Sequence, residues 1–363
     1  MKTKSLLFIL ILFVGLIGFN ACQKDDDAPA PLNKEEADVA LSESDDQFVA
    51  ISGEIGENEG YNVQSYIDDL DLPFYGQPVK ASKFVKYNNK ELKGIVEKFT
   101  ANNKSRDFDF DFGFIYAPYD VYDVSEIFGT WDYTDGSFVK SSTTPSNGII
   151  LNFPYPYDNT SNNARLTYSD FKLLEGEVLS FKGKVEVDDV SVFTFSLTTK
   201  YSFTEFTQTL ITSFGDFEFS LVSYMTFNQD YFIYKYTNTL KKLDKVVYKE
   251  YSKIKVDSET EDVTIEAAQT IGKLEFRFKL KSINGTFENF YQTPNDYLTM
   301  SLYTTGDAKI CDFVYVYNVE QQNWDLYFEY TDGTQVALNS LELSLEYRLW
   351  GFFEWLLWGD YED

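Results

Sequence analysis

The chain has 363 residues, 31 Lys+Arg against 58 Asp+Glu, a formal net charge of -27, two Cys and no His. Without His there is no Ser-His-Asp triad, no Cys-His pair and no imidazole metal site, and two Cys make neither a Cys-rich zinc site nor a disulfide framework. The acidic balance argues against nucleic acid as a partner, because phosphate binding needs a Lys/Arg surface; no phosphate loop or dinucleotide fingerprint is present, and no cofactor is indicated.

At the N-terminus, Lys2 and Lys4 precede an uninterrupted apolar stretch from Leu6 to Phe19. It is short for a membrane span and of the right length for a secretory signal. It ends Phe19-Asn20-Ala21-Cys22, which resembles the lipobox of bacterial lipoproteins. The following Gln23-Lys24-Asp25-Asp26-Asp27 is similar to the export signal of surface lipoproteins of Bacteroidota. The resemblance implies that residues 1–21 are a lipoprotein signal peptide and that Cys22 carries the lipid, with palmitate-like acyl chains. It also implies that the mature chain is anchored at the outer membrane, facing the cell surface. Each buried CH2 contributes about 0.8 kcal/mol, so several chains on one Cys hold permanently.

Residues 22–46 read as the lipidated Cys followed by a disordered acidic tether. They contain Ala28-Pro29-Ala30-Pro31 and the acids Glu35, Glu36, Asp38, Glu43, Asp45 and Asp46, with few large apolar groups, a composition that favours an extended chain. Residues 47–104 read as short helices capping a sheet. Val63, Tyr66, Ile67 and Leu70, then Leu92, Ile95, Val96 and Phe99, sit at i, i+3, i+4, i+7.

Residues 105–363 read as one antiparallel β domain, because the hydrophobic period switches to two. In the clearest case Leu274, Phe276, Phe278 and Leu280 point one way and Glu275, Arg277, Lys279 and Lys281 the other. Asn284-Gly285, Asp135-Gly136 and Asp332-Gly333 are turn signals. Roughly ten to fourteen strands with short connections predict a mainly β fold. The expected form is a large antiparallel meander with one wet face, a curved half-barrel or sandwich-like, with short N-terminal helices and a Trp-rich C-terminal element. A membrane barrel would need the charged face to line its lumen. The stretch from Gly129-Thr130-Trp131 through Asn152-Phe153-Pro154 to the strands near 184–197 resembles β-rich lipoproteins of Bacteroidota, which implies a fold and an address but no activity.

Few residues point to chemistry. Asp107, Asp109 and Asp111 alternate with Phe108, Phe110 and Phe112. An EF-hand loop needs Gly at position six and Glu at twelve, and here Gly113 is seventh and Pro118 twelfth. The three acids are weak metal candidates, or the charged face of an edge strand. Ser252-Lys253-Ile254-Lys255 matches the Ser-x-x-Lys string, which needs a helix start, but lies in an alternating segment. Cys311, in an apolar run, reads as a buried inert thiol. Trp350, Trp355 and Trp358 close a Leu- and Phe-rich segment and are possible ligand contacts, either plugging the sheet or forming an exposed platform.

Three functional readings follow. A non-enzymatic surface module binding glycan or protein would show a row of solvent-facing aromatics. A carrier of an apolar ligand in the concave face of a curved sheet would show a deep cavity lined by Phe and Leu. An enzyme would need carboxylates converging in a cleft. A purely structural or assembly lipoprotein is a further alternative. The binding module ranks first, with the membrane, through Cys22, and a glycan, lipid or protein as partners.

Overall fold

The computed structural model describes residues 29–74, 113–120, 123–174, 177–283, 286, 289–290, 292–319 and 322–338. Cys22, Gln23, Lys24, Asp25, Asp26 and Asp27, the acids Asp107, Asp109 and Asp111, the pair Asn284-Gly285, and Trp350, Trp355 and Trp358 lie outside the described residues.

Alternating apolar and polar side chains, cut by short turns, build a run of hairpins. The strands are β1 (Gly129–Thr134), β2 (Ser137–Ser142), β3 (Ile149–Phe153), β4 (Ala164–Leu174), β5 (Glu177–Val187), β6 (Val190–Tyr201), β7 (Glu205–Phe214) and β8 (Phe217–Phe227). They continue with β9 (Tyr231–Lys242), β10 (Lys245–Asp257), β11 (Val263–Ile271), β12 (Leu274–Lys281), β13 (Leu298–Thr304), β14 (Lys309–Asn318), β15 (Asn323–Tyr330) and β16 (Gln335–Ala337). All join one 16-stranded sheet in the order β16 to β3 consecutively, then β1 and β2. The sheet is mixed and not closed. The expected mainly β meander is therefore the fold, as one sheet rather than a two-sheet sandwich among the described residues.

One departure from a pure meander is the parallel pair β1 and β3. After the β1–β2 hairpin the chain crosses the start of β1 and takes its free edge. Gly129 sits at that crossing with φ +132°, and a Cβ there would lie 2.3 Å from the Ser142 carbonyl oxygen. The sequence lets the chain cross there because residue 129 is glycine.

An open sheet with one apolar face needs a cover. It is supplied by α1 (Lys34–Gly56) and α2 (Glu59–Asp68), with α3 (Gly113–Asp120), a 3-10 turn (Val124–Ile127) and the short α4 (Pro294–Tyr297). No described helix is long and apolar enough to cross a membrane. Two expected boundaries are corrected. Residues 34–46, expected as disordered tether, are the first half of α1. The β region, expected from residue 105, begins at Gly129 among the described residues, with helix over 113–120.

The acidic α1 forms for identifiable reasons. Asn33 and Glu36 make a reciprocal capping box, and Ala37, Leu41, Ser44, Phe48, Ile51, Ser52 and Ile55 form a buried stripe. At 1.5 Å per residue its 23 residues span about 34 Å, enough to cross six strand spacings of about 4.8 Å. The contacts follow that course. Leu32 N donates to the Lys309 carbonyl (2.9 Å) at β14, and Tyr330 Oη donates to Asp38 (2.8 Å) at β15. Lys273 pairs with Glu43 at the β11–β12 turn (2.6 Å), and Lys242 pairs with Glu54 at the end of β9. The helix α2 continues the line. Its cap residue Asn58 crowds Gly215 in the β7–β8 turn, and its Tyr66 packs on Phe153 and Tyr155.

Inside, aromatic side chains fill the space over β4 to β8. Gly183 lies directly opposite Phe195, whose ring folds over it so that a Cβ on Gly183 would fall 2.0 Å from Phe195 Cζ. The ring is itself held by Phe114, Tyr168 and Phe181. Gly183→Ala should destabilise the chain by about 1–3 kcal/mol through overpacking. Gly53→Ala, with open space around it in α1, should stabilise by about 0.5–1 kcal/mol through helix propensity. Urea unfolding of the two variants beside wild type checks both signs.

Candidate functional site

The two faces of the central strands differ sharply, and β10 shows why. Tyr248, Glu250, Ser252, Ile254 and Val256 point inward, while Lys249, Tyr251, Lys253 and Lys255 point to the wet face. The same parity brings Lys235 and Lys241 of β9 and Arg277, Lys279 and Lys281 of β12 to that wet face. The acids among them are Asp257, Glu266 and Glu275. A chain with a large acidic excess thus gathers a basic band across β9 to β12.

Register aligns one row of this band across eight strands. Lys200, Thr207, Tyr224, Lys235, Lys253, Glu266, Lys279 and Thr299 are successive direct partners from β6 to β13. Lys235 and Lys253 face each other directly, although like charges opposite one another in a sheet destabilise it. Each Lys has a local compensation. Lys235 Nζ lies 5.5 Å from the centre of the Tyr224 ring, and Lys253 Nζ lies 2.8 Å from Glu266. Lys279 takes the other oxygen of Glu266 at 3.1 Å. One carboxylate therefore serves two ammonium groups, and the row keeps a positive excess. Burial works to raise the Glu266 pKa, but the bonds from Lys253 and Lys279 outweigh it and hold the carboxyl below its ordinary range.

Beside this row, burial and then the Glu266 charge push the Tyr251 hydroxyl to about 12. Arg277 lies 4.1 Å over the Tyr303 ring and pairs with Glu275 (2.6 Å) and with Asp307. No ion pair is formed by Lys249 or Lys281 among the described residues.

The inner face has its own polar group. One transverse row runs Phe181, Leu197, Leu210, Leu221, Asn238, Glu250, Gln269, Phe276, Leu302, Cys311, Tyr330. Its middle three are polar and buried. Tyr248 Oη donates to Glu250 at 3.3 Å. Burial pushes the Glu250 carboxyl well above its ordinary range, against hydrogen bonds from Tyr248 and Asn238 that pull it down. Burial, then the nearby Glu250, pushes the Tyr236 hydroxyl well up. Asn238 Oδ1 is buried with no hydrogen-bond partner. A protonated Glu250, directly opposite, carries the donor that this oxygen lacks.

The earlier candidates fall as follows. Ser252 and Lys255 sit on opposite faces of β10, so they cannot act as a nucleophile and its base. Cys311 is buried as expected, and burial pushes its thiol well up. Among the described residues no group of three or more Cys, Asp or Glu is placed to hold a metal ion. Sequence reasoning named Lys253, Lys255, Lys279 and Lys281 in other connections but assigned none of the wet-face lysines to a binding site. The signal was present as Lys at 249, 253 and 255 with Tyr251 between, all one parity of a strand.

Comparison of the chain with protein-family models, with curated proteins and with solved structures gives no match.

The raised Glu250 pKa fixes a pH dependence. Between the ordinary glutamate pKa and the raised one, the folded chain holds a proton that the unfolded chain has lost, so stability falls as pH rises through that window. Glu250→Gln, which cannot ionise, should remove this slope and be the more stable form at the alkaline end. Urea unfolding of both forms from acidic to mildly alkaline pH reads the difference.

Proposed function

We propose that the chain is a lipid-anchored binding module of the bacterial cell surface that takes its ligand, a glycan or a protein, on the wet face of β8 to β12. The carrying observation is the wet-face row in which Tyr224, Lys235 and Lys253 stand side by side, with Lys279 beyond the shared Glu266, in a strongly acidic chain. A sheet selected only for stability would not place Lys235 against Lys253. Aromatic rings and long cations on a hydrogen-bonded sheet are preorganised for contact with an extended ligand.

The anchor belongs to the same reading. The charged head, short apolar core and Ala21-Cys22 junction with its acidic sequel support lipidation and export. The chain between Cys22 and the α1 cap then sets the distance of the sheet from the membrane. The carrier alternative needs the inner face, where α1, α2 and the Phe-rich packing already occupy the described surface. An enzymatic alternative needs a free carboxyl pair, whereas of the wet-face acids of β9 to β12 Glu266 and Glu275 are each tied to a cation and Asp257 accepts from the backbone of its own turn.

Three experiments test the two halves. Cells expressing the chain and fed radiolabelled palmitate should label wild type and lose at least about tenfold of that label in Cys22→Ala, since one residue carries the chains. Protease added to intact cells should degrade the labelled protein. Affinity electrophoresis of the full chain in detergent through gels holding single polysaccharides should show retardation by at least one. Tyr224→Ala should weaken that retardation, and an unaffected variant would contradict the wet-face assignment.

A further inference from the structure

We infer that the ligand is a linear polysaccharide bearing carboxylate or sulfate groups, laid across the strands along the Tyr224–Lys235–Lys253–Lys279 row; this rests on the reading that the wet face is the binding surface. Three observations select this class.

The first is the shape of the charge. The basic band crosses the middle of the strands. The turns at one end are acidic, with Asp230, Glu259 and Glu261 exposed; at the other end Asp216 and Asp244 stand beside Lys242, Lys245 and Lys273. A broad anionic plane such as a bilayer would meet the acidic rim. A single anionic chain along the band does not. The net charge of the molecule does not prevent this, because exposed charges more than about 8 Å away are screened at physiological salt, and contact charges decide.

The second is the spacing. Neighbouring strands stand about 4.8 Å apart, a repeat similar to that of one sugar ring in an extended glycan. Lys235 and Lys253 occupy adjacent strands and Lys279 the second strand beyond Lys253. Anionic groups on alternate rings would therefore meet Lys253 and Lys279, with Lys235 one strand before them and Glu266, held by both lysines, between them.

The third is what lies between the cations. Tyr224 offers a ring for sugar C–H faces, and Thr207, Thr237 and Thr239 offer hydroxyls on the same face. Acidic proteins seat their interface cores on desolvated apolar anchors. Away from the turns no large apolar side chain of this band is exposed: Val222 and Ile233 are half-buried and Tyr251 is buried beneath its neighbours.

The like-charged pair gives a test with two independent readouts. Lys235→Gln removes a cation from the ligand row and also removes the repulsion with Lys253. The variant should bind polygalacturonate or dextran sulfate at least tenfold more weakly than wild type, yet unfold at an equal or higher temperature. Lys249→Gln with Lys279→Gln should weaken binding in the same way, and Lys245→Gln, at a turn, should leave it unchanged. All are measured on the full chain in detergent by affinity electrophoresis, with wild-type retention falling as salt is raised. Retention by neutral dextran or xylan alone, sensitive to Tyr224→Ala, would overturn the anionic class while leaving the wet-face module intact. Tighter capture of poly-glutamate, single-stranded DNA or phosphatidylglycerol vesicles would overturn it in favour of another anionic partner. No retention by any of these probes would overturn both readings.

Discussion

One apolar face of a single open sheet has to be kept from water, and the rest of the molecule is arranged around that demand. A barrel would solve it by closure and a sandwich by a second sheet. Here the solution is a helix laid across the strands. The stripe on α1 from Ala37 to Ile55 packs on the sheet, and its acids reach Lys242 and Lys273 at the turn ends. The sheet also explains why so acidic a segment is helical. The apolar stripe is thin, and it becomes stabilising only where a surface is ready to receive it. The same cover leaves the other face of β8 to β12 open, which separates a structural side from a side available for contact.

The separation is written into β10. Its one central acid, Glu250, is turned inward, where burial pushes its carboxyl well above the ordinary range, while its lysines are turned outward. A one-residue slip of register would place three lysines in the core and expose Tyr248, Ile254 and Val256. The polarity of this strand therefore fixes register as well as charge. A neutral Glu250 among Asn238, Gln269 and Tyr248 costs less than a buried ion would, and it marks the register of three adjacent strands in an otherwise apolar row.

Much of the sheet was legible in the chain. The alternation of β12 is realised residue for residue, with the refinement that Glu275 and Arg277, expected in solvent, shield each other. Asp135-Gly136 is a two-residue turn with φ +52° and +86°, the pattern a type I′ hairpin requires. Asp332-Gly333 is a different turn. Only Gly333 has positive φ, and the ladder bond joins Tyr330 to Thr334 across three residues. What escaped was non-local. The parallel docking of β3 on β1 depends on which edge is free, and the helical state of residues 34–46 depends on the sheet beneath them. The Asn33–Glu36 capping box was a local sign of that helix. The wet-face row escaped for the same reason, since its members lie in different strands and only register brings them together.

The most direct measurement is amine footprinting of the full chain by mass spectrometry, with and without polygalacturonate. The account predicts that Lys235, Lys249, Lys253 and Lys255 become protected together, while Lys34 on α1 and Lys245 at the turn stay as reactive as before. Protection centred on α1 or the turns, with the β9–β10 lysines unchanged, would contradict it.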